Sequence, residues 1–155
     1  MNNSPVKIIA QNKKARFNYT IEESIECGVV LEGTEVKSVK AGNVSFPDAF
    51  AEIRGGEAWI IGMHITPYVY SSIFNHDPDR IKKLLLHRDE IKRLIRKVDE
   101  KGFTLIPIEI YLKNGRIKIQ LGICKGKKLF DKRGDIRDRD VKRDIQREFR
   151  NKNDH

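Results

Sequence analysis

The sequence predicts a mainly β chain with flanking α structure: an antiparallel β-barrel with two or three helices and a basic C-terminal tail. Three observations carry this. Two pairs of apolar runs, 46–53 with 58–65 and 103–112 with 117–124, each enclose a turn dipeptide, Gly55-Gly56 and Asn114-Gly115. Both dipeptides supply the positive φ that a tight hairpin needs. A helical apolar period lies between the pairs, from Ile81 to Val98. The final segment, Lys125 to His155, holds twelve Lys/Arg and seven Asp/Glu but few apolar residues.

In chain order, residues 1–14 are polar and without periodicity. Phe17-Asn18-Tyr19-Thr20-Ile21 reads as a strand, from its aromatic and β-branched content. Gly28-Val29-Val30-Leu31 is a second short apolar run. Gly33 to Lys40 reads as a helix with Thr34 as N-cap and Gly42 as stop. A loop from Thr66 to Asn75 follows the first hairpin. Asp77-Pro78 reads as an N-cap with proline at the first helical position. Ile81, Leu84, Leu85, Ile91, Leu94, Ile95 and Val98 then keep a helical period up to Gly102, with His87-Arg88-Asp89 as a point where one helix divides into two. In the second hairpin, Ile108, Ile110 and Leu112 alternate with Glu109, Tyr111 and Lys113, and Ile117, Ile119, Leu121 and Ile123 alternate with Lys118, Gln120 and Gly122. Each strand therefore has one buried and one wet face. Pro107 inside this run marks an edge or a bulge. About six hairpin-linked strands with helices outside suit a small barrel, and among these the oligonucleotide-binding (OB) type suits a basic chain.

Charge narrows the function. The chain of 155 residues carries net +9, of which residues 125–155 contribute +5. That balance points to a polyanionic partner, most often nucleic acid. The tail lacks the Trp/Leu-rich face of a membrane-surface helix, and no run of eighteen apolar residues or charged-then-apolar leader is present. Cys27 and Cys124 form no CxxC pair and read as reduced thiols. A cytoplasmic protein without membrane contact is the expectation.

Catalytic chemistry is not indicated. Gly122-Ile-Cys-Lys-Gly126-Lys127 is one residue short of a Walker A loop between its glycines and lacks Ser/Thr after Lys127. The four histidines show no metal-ligand spacing. Glu22, Glu23 and Glu26 read as a solvated strand face. No cofactor, no metal and no enzymatic activity are expected.

The tail, 125–155, separates from a barrel domain of 1–124. Asp138/Lys142 and Asp144/Arg147 pair at helical spacing. Val141, Ile145 and Phe149 form a stripe too narrow to anchor a helix. The expectation is a tail disordered when free and helical when docked on a polyanion.

The chain resembles the small protein B (SmpB) family, the SsrA-binding proteins that partner transfer-messenger RNA. The words that carry the resemblance run in order along nearly the whole chain. They are Asn12-Lys13-Lys14-Ala15, Gly33-Thr34-Glu35-Val36-Lys37-Ser38, Gly55-Gly56-Glu57-Ala58-Trp59, Asn75-His76-Asp77-Pro78 with Arg80, Lys83-Leu84-Leu85-Leu86-His87, Gly102-Phe103-Thr104-Leu105, Lys113-Asn114-Gly115, Lys125-Gly126-Lys127-Lys128 and Asp131-Lys132-Arg133. The resemblance implies an OB-like barrel with an unstructured tail. It implies a role in trans-translation: binding the tRNA-like part of transfer-messenger RNA, delivery of the alanylated RNA to a stalled ribosome with elongation factor Tu, and entry of the tail into the empty message channel. A monomer is implied.

Position by position, the resemblance places Asn12, Lys13, Lys14, Glu26, Leu85 and Lys118 against transfer-messenger RNA. It places Gly126, Lys127, Lys128, Phe130, Asp131, Lys132 and Arg133 against ribosomal RNA near the decoding centre. Relatives often have His or Tyr where this chain has Phe130, which keeps a stacking ring but no polar handle. The lysines suit phosphate, and Asn12 offers both donor and acceptor. Glu26 repels phosphate and so suits base amino groups or the orientation of a basic side chain. By periodicity alone, Leu85 reads as core. The other reading is a structural ribosomal or rRNA-binding protein, which differs in copurifying with a subunit without transfer-messenger RNA.

Overall fold

The computed structural model describes residues 6–70 and 75–126. These form β1 (Val6–Gln11), α1 (Lys13–Asn18), β2 (Tyr19–Val29), α2 (Gly33–Lys40), β3 (Val44–Ser45), β4 (Phe50–Arg54), β5 (Glu57–Ile61), β6 (His64–Ile65), β7 (Lys82–Leu85), α3 (Arg88–Lys101), β8 (Thr104–Lys113) and β9 (Arg116–Gly126). The main sheet runs β1-β8-β4-β5-β7-β2-β9, and β8 pairs with β9 as well, closing six strands into a ring with β1 added against β8. Every pairing is antiparallel. β3 and β6 form a separate ribbon.

Both hairpins form where the turn residues place them. Asn114 and Gly115 take φ of 53° and 75°, the two positive values that a type I′ turn requires. Ile60, Leu84, Leu105, Ile110, Ile119, Leu121 and Ile123 fill the barrel interior, each at most 1% exposed.

Pro107 sits at a bulge. The β8–β9 register shifts between Pro107 and Glu109, leaving Ile108 as the extra residue. The bulge changes the phase of burial: Leu105 and Ile110 point into the barrel, whereas Ile106 and Ile108 join Ala15 and Cys124 in a second small core beneath α1. Gly122 makes this possible, because a Cβ there would lie 2.8 Å from Ile108 Cδ1.

The same edge of β8 serves two neighbours, β4 at Leu105 and β1 from Glu109 to Lys113. Asn12 fills the gap between them. Its backbone N–H donates to Ile108 O at 2.7 Å, and its Nδ2 donates to Pro107 O at 2.8 Å. Its Oδ1 accepts from Ala15 N–H at 3.1 Å, capping α1.

Five expectations are corrected. Residues 6–11 form a strand despite their polar surroundings. The segment read as a strand from Phe17 begins as helix α1, and β2 starts at Tyr19. The N-cap of α2 is Glu32, whose N–H donates to Glu35 Oε1 at 2.7 Å, while Thr34 Oγ1 lies 2.8 Å from His76 Nδ1. The helical period from Ile81 is split: Lys82–Leu85 is strand β7, and only Arg88–Lys101 is helix, N-capped at His87 and ended at Gly102. Asp77 and Pro78 sit in a turn, where Asp77 Oδ1 accepts from Asp79 N–H at 3.0 Å.

A buried polar network holds α2 to the segment before β7. Glu35, with no exposed surface, accepts from Arg80 Nε at 3.0 Å and from Arg80 Nη2 at 2.5 Å. Arg80 Nη2 also donates to Val30 O at 3.2 Å. Burial pushes the Glu35 carboxyl up, but Arg80 and the Glu32 N–H outweigh it, so its pKa is lowered overall. Lys82, equally buried, donates to Met63 O at 2.9 Å and Arg80 O at 2.6 Å, and burial lowers its pKa. His76 donates from Nε2 to Ile65 O at 2.8 Å, which leaves Nδ1 to accept from the Thr34 hydroxyl.

Candidate nucleic-acid interface

Glu26, Leu85 and Lys118 come from three strands and meet around Gly28. Gly28 is opposite Leu85 on β7 and opposite Lys118 on β9. Glu26 lies two residues before Gly28 on β2 and so shares its face. The absence of a side chain at Gly28 sets the geometry: a Cβ there would lie 3.2 Å from Leu85 Cβ and Cδ1. Leu85 is 51% exposed and Leu84 only 1%. The reading of Leu85 as core by periodicity is thus overturned, because strand alternation turns Lys82 and Leu84 inward and Leu85 outward. Leu85 and Lys118 line a shallow groove of about 310 Å³ with Gly28, Lys40 and Arg116.

Glu26 is held from one side. Its Oε2 accepts from Tyr111 Oη at 2.5 Å and from Lys113 Nζ at 3.4 Å. The Tyr111 bond, opposed by partial burial and aided by Lys113 and Lys118, keeps the Glu26 carboxyl below its usual range. Burial and Glu26 push the Tyr111 phenol well above its own. Gln120, opposite Glu26, donates from Nε2 to Ser24 Oγ at 2.7 Å. The result is an ionised acceptor beside an apolar projection and flanking lysines. Such a surface suits RNA loops, which present base edges, 2′-hydroxyls and phosphates together.

Asn12, Lys13 and Lys14 form a second cluster. The chain of opposed pairs Gln11–Glu109, Glu109–Gln120 and Gln120–Glu26 places three strand spacings, about 14 Å along the barrel wall, between Glu26 and Gln11, which precedes this cluster. Lys13 and Lys14 are exposed on α1, and Lys14 Nζ pairs with Asp48 Oδ1 at 3.0 Å. Asn12 is 6% exposed, with its side-chain donor and acceptor both used internally. Its geometry is that of a residue that places the two lysines.

Gly126 ends β9 opposite Tyr19, so the last strand runs two residues past 124. Lys127, Lys128, Phe130, Asp131, Lys132 and Arg133 lie outside the described residues. Sequence reasoning missed Tyr111, Gly28 and Lys40. Tyr111 lies on the outward set of the β8 alternation yet is 5% exposed, and a large aromatic on a wet face was the available signal.

Cys27 and Cys124 are free and buried, and burial pushes their thiols up to about 12 and about 11. Such thiols are poor nucleophiles. Among the described residues, no group of three or more His, Cys, Asp or Glu is placed to hold a metal ion, and no helix is long and apolar enough to cross a membrane.

A closed antiparallel barrel, OB-like, with a mixed acidic, apolar and basic face defines the structural class. The chain belongs to the SmpB protein family, whose model matches residues 9–151. It is 67% identical over 150 residues to the SsrA-binding protein of Treponema denticola, covering 97% of each chain. The SsrA-binding protein of Treponema pallidum is 60% identical over 147 residues, covering 95% of this chain and 96% of that protein. A solved chain described as "tmRNA-SmpB: a journey to the center of the bacterial ribosome" superposes with a TM-score of 0.66 at 45% identity, covering 77% of this chain and 85% of that one.

Proposed function

We propose that this chain binds transfer-messenger RNA (SsrA) and serves the rescue of stalled ribosomes by trans-translation. The observation that carries the reading is the meeting of Glu26, Leu85 and Lys118 around Gly28 in a chain of this family. The tRNA-like part of the RNA lies on that face. Lys118, with Lys13 and Lys14, neutralises phosphates. Leu85 packs on an exposed base or sugar, and Glu26 accepts from base amino groups. Asn12 supports the lysine pair through α1.

The tail, 125–155, acts separately. Gly126, Lys127, Lys128, Phe130, Asp131, Lys132 and Arg133 engage ribosomal RNA as the tail enters the empty message channel. Elongation factor Tu joins through the alanylated RNA. The protein contributes binding and positioning, with no bond-making step of its own, and works in the cytoplasm with the ribosome.

The test is recovery of the protein from lysate with sequencing of the bound RNA, followed by titration in increasing salt. Transfer-messenger RNA should dominate, with affinity falling steeply as counterions are released. Stoichiometric recovery of a ribosomal subunit from cells lacking that RNA would instead establish a structural ribosomal protein.

A further inference from the structure

We propose that the RNA surface continues across α2 to Tyr68 and Tyr70, which form a platform for an unpaired base of the same RNA. The inference rests on the RNA-binding reading above and extends it to a second contact.

The path is continuous. Lys40 lines the groove with Leu85 and Lys118. Lys37 is three residues earlier on α2, hence a neighbour on one helix face. Lys37 Nζ lies 5.6 Å from the centre of the Tyr68 ring. Tyr68 meets Tyr70 edge to face, with centroids 5.5 Å apart and planes at 69°. Tyr70 is 82% exposed, so its ring is open to stacking.

Tyr68 is held in place by Asn75. Asn75 Oδ1 accepts from Tyr68 N–H at 3.1 Å, and its Nδ2 donates to Tyr68 O at 2.9 Å. Oδ1 also accepts from His76 N–H at 3.1 Å, and His76 is buried against Ile65 and Thr34. The backbone of Tyr68 is therefore tied to the barrel through one side chain, and Tyr70 lies two residues further along. A water-facing ring contributes nothing to the core. Paired with Tyr68, whose ring lies beside Lys37, it has the chemistry of single-stranded nucleic-acid contact, an aromatic face with a cation close by.

The experiment is titration of the full-length protein with the tRNA-like domain of transfer-messenger RNA at one near-physiological salt concentration. Replacing Tyr68→Ala together with Tyr70→Ala should weaken binding about tenfold. Phe at both positions should recover most of that loss, since the ring stacks without its hydroxyl. Tyr70→Ala alone, at the more exposed position, should lose several-fold and serves as the readout if the double variant unfolds. Unchanged affinity in the Ala variants, with Leu85→Ala and Lys118→Ala still impaired, overturns the platform and leaves the RNA reading standing. Equal loss in the Ala and Phe variants overturns stacking. Unchanged affinity combined with impaired peptide tagging assigns the tyrosines to a different partner and also overturns it. If the unmodified protein does not prefer this RNA to a hairpin of equal length, the underlying reading falls, and the platform with it.

Discussion

Tyr111 reaches across β9 to donate its hydroxyl proton to Glu26, at 2.5 Å. The two residues lie on β8 and β2, strands that do not pair with each other, and Lys118 and Gln120 lie between them. One carboxylate oxygen, Oε2, is thereby committed. Because the folded-state pKa of Glu26 is lowered, its ionisation favours folding above the ordinary carboxylate range. That gain is lost as pH falls through the lowered value. In Tyr111→Phe the gain should shrink and Glu26 should protonate at higher pH. Carbon NMR titration of the Glu26 carboxyl reads this directly, and an unmoved midpoint would contradict it. The lost charge-assisted bond should cost about 1 kcal/mol in urea unfolding, at the low end because Glu26 is partly exposed.

Leu84 and Leu85 are adjacent and should fail differently. Leu84→Ala opens a cavity in the barrel and should cost about 2–5 kcal/mol. Leu85→Ala should change stability by less than about 0.5 kcal/mol and weaken RNA binding. Denaturant unfolding and RNA titration on both variants give the comparison. A large stability loss at Leu85 would mean that β7 is out of register.

Arg80 neutralises a carboxylate that has no exposed surface. Arg80→Ala should destabilise by about 3–5 kcal/mol, because Glu35 would remain buried without its partner. Arg80→Lys should recover only part, since an ammonium cannot reproduce the two-point contact. Thermal unfolding of the two variants provides the test, and equal melting temperatures would show that the fork geometry is immaterial.

Asn12→Asp keeps the oxygen that caps α1 but sets a carboxylate oxygen against Pro107 O, where Nδ2 now donates. The variant should lose about 1–3 kcal/mol despite the conserved cap, and it should weaken RNA binding through displaced Lys13 and Lys14. Wild-type stability with wild-type affinity would remove Asn12 from any positioning role.

Much of the barrel was legible because turns declare themselves locally. Asn114-Gly115 and Gly55-Gly56 have the residues their backbone angles demand, and Pro107 announced a bulge by lacking a donor. β7 was hidden because one of its two inward residues is Lys82, whose burial depends on the carbonyls of Met63 and Arg80. A lysine does not read as core, and without it Ile81, Leu84 and Leu85 fit a helix. The strand in residues 6–11 was missed because it is an addition to the ring with little apolar alternation. At the site, no local pattern joins Glu26, Leu85 and Lys118. Their meeting depends on three strand registers, and only resemblance to a family named them beforehand.

Closing six strands into a ring also settles a hazard that open sheets carry. Among the described residues of the main sheet, β1 alone has a partner on one side only, so it is the strand there on which another chain's backbone could add. It is six residues long, carries Lys7, and breaks register between Ile8 and Ala10. A short, charged, irregular rim is a poor template for strand addition. The half-exposed Val6 and Ile8 are thus left without a straight, sticky edge to recruit copies of the same chain, which favours a protein that stays dispersed at high concentration.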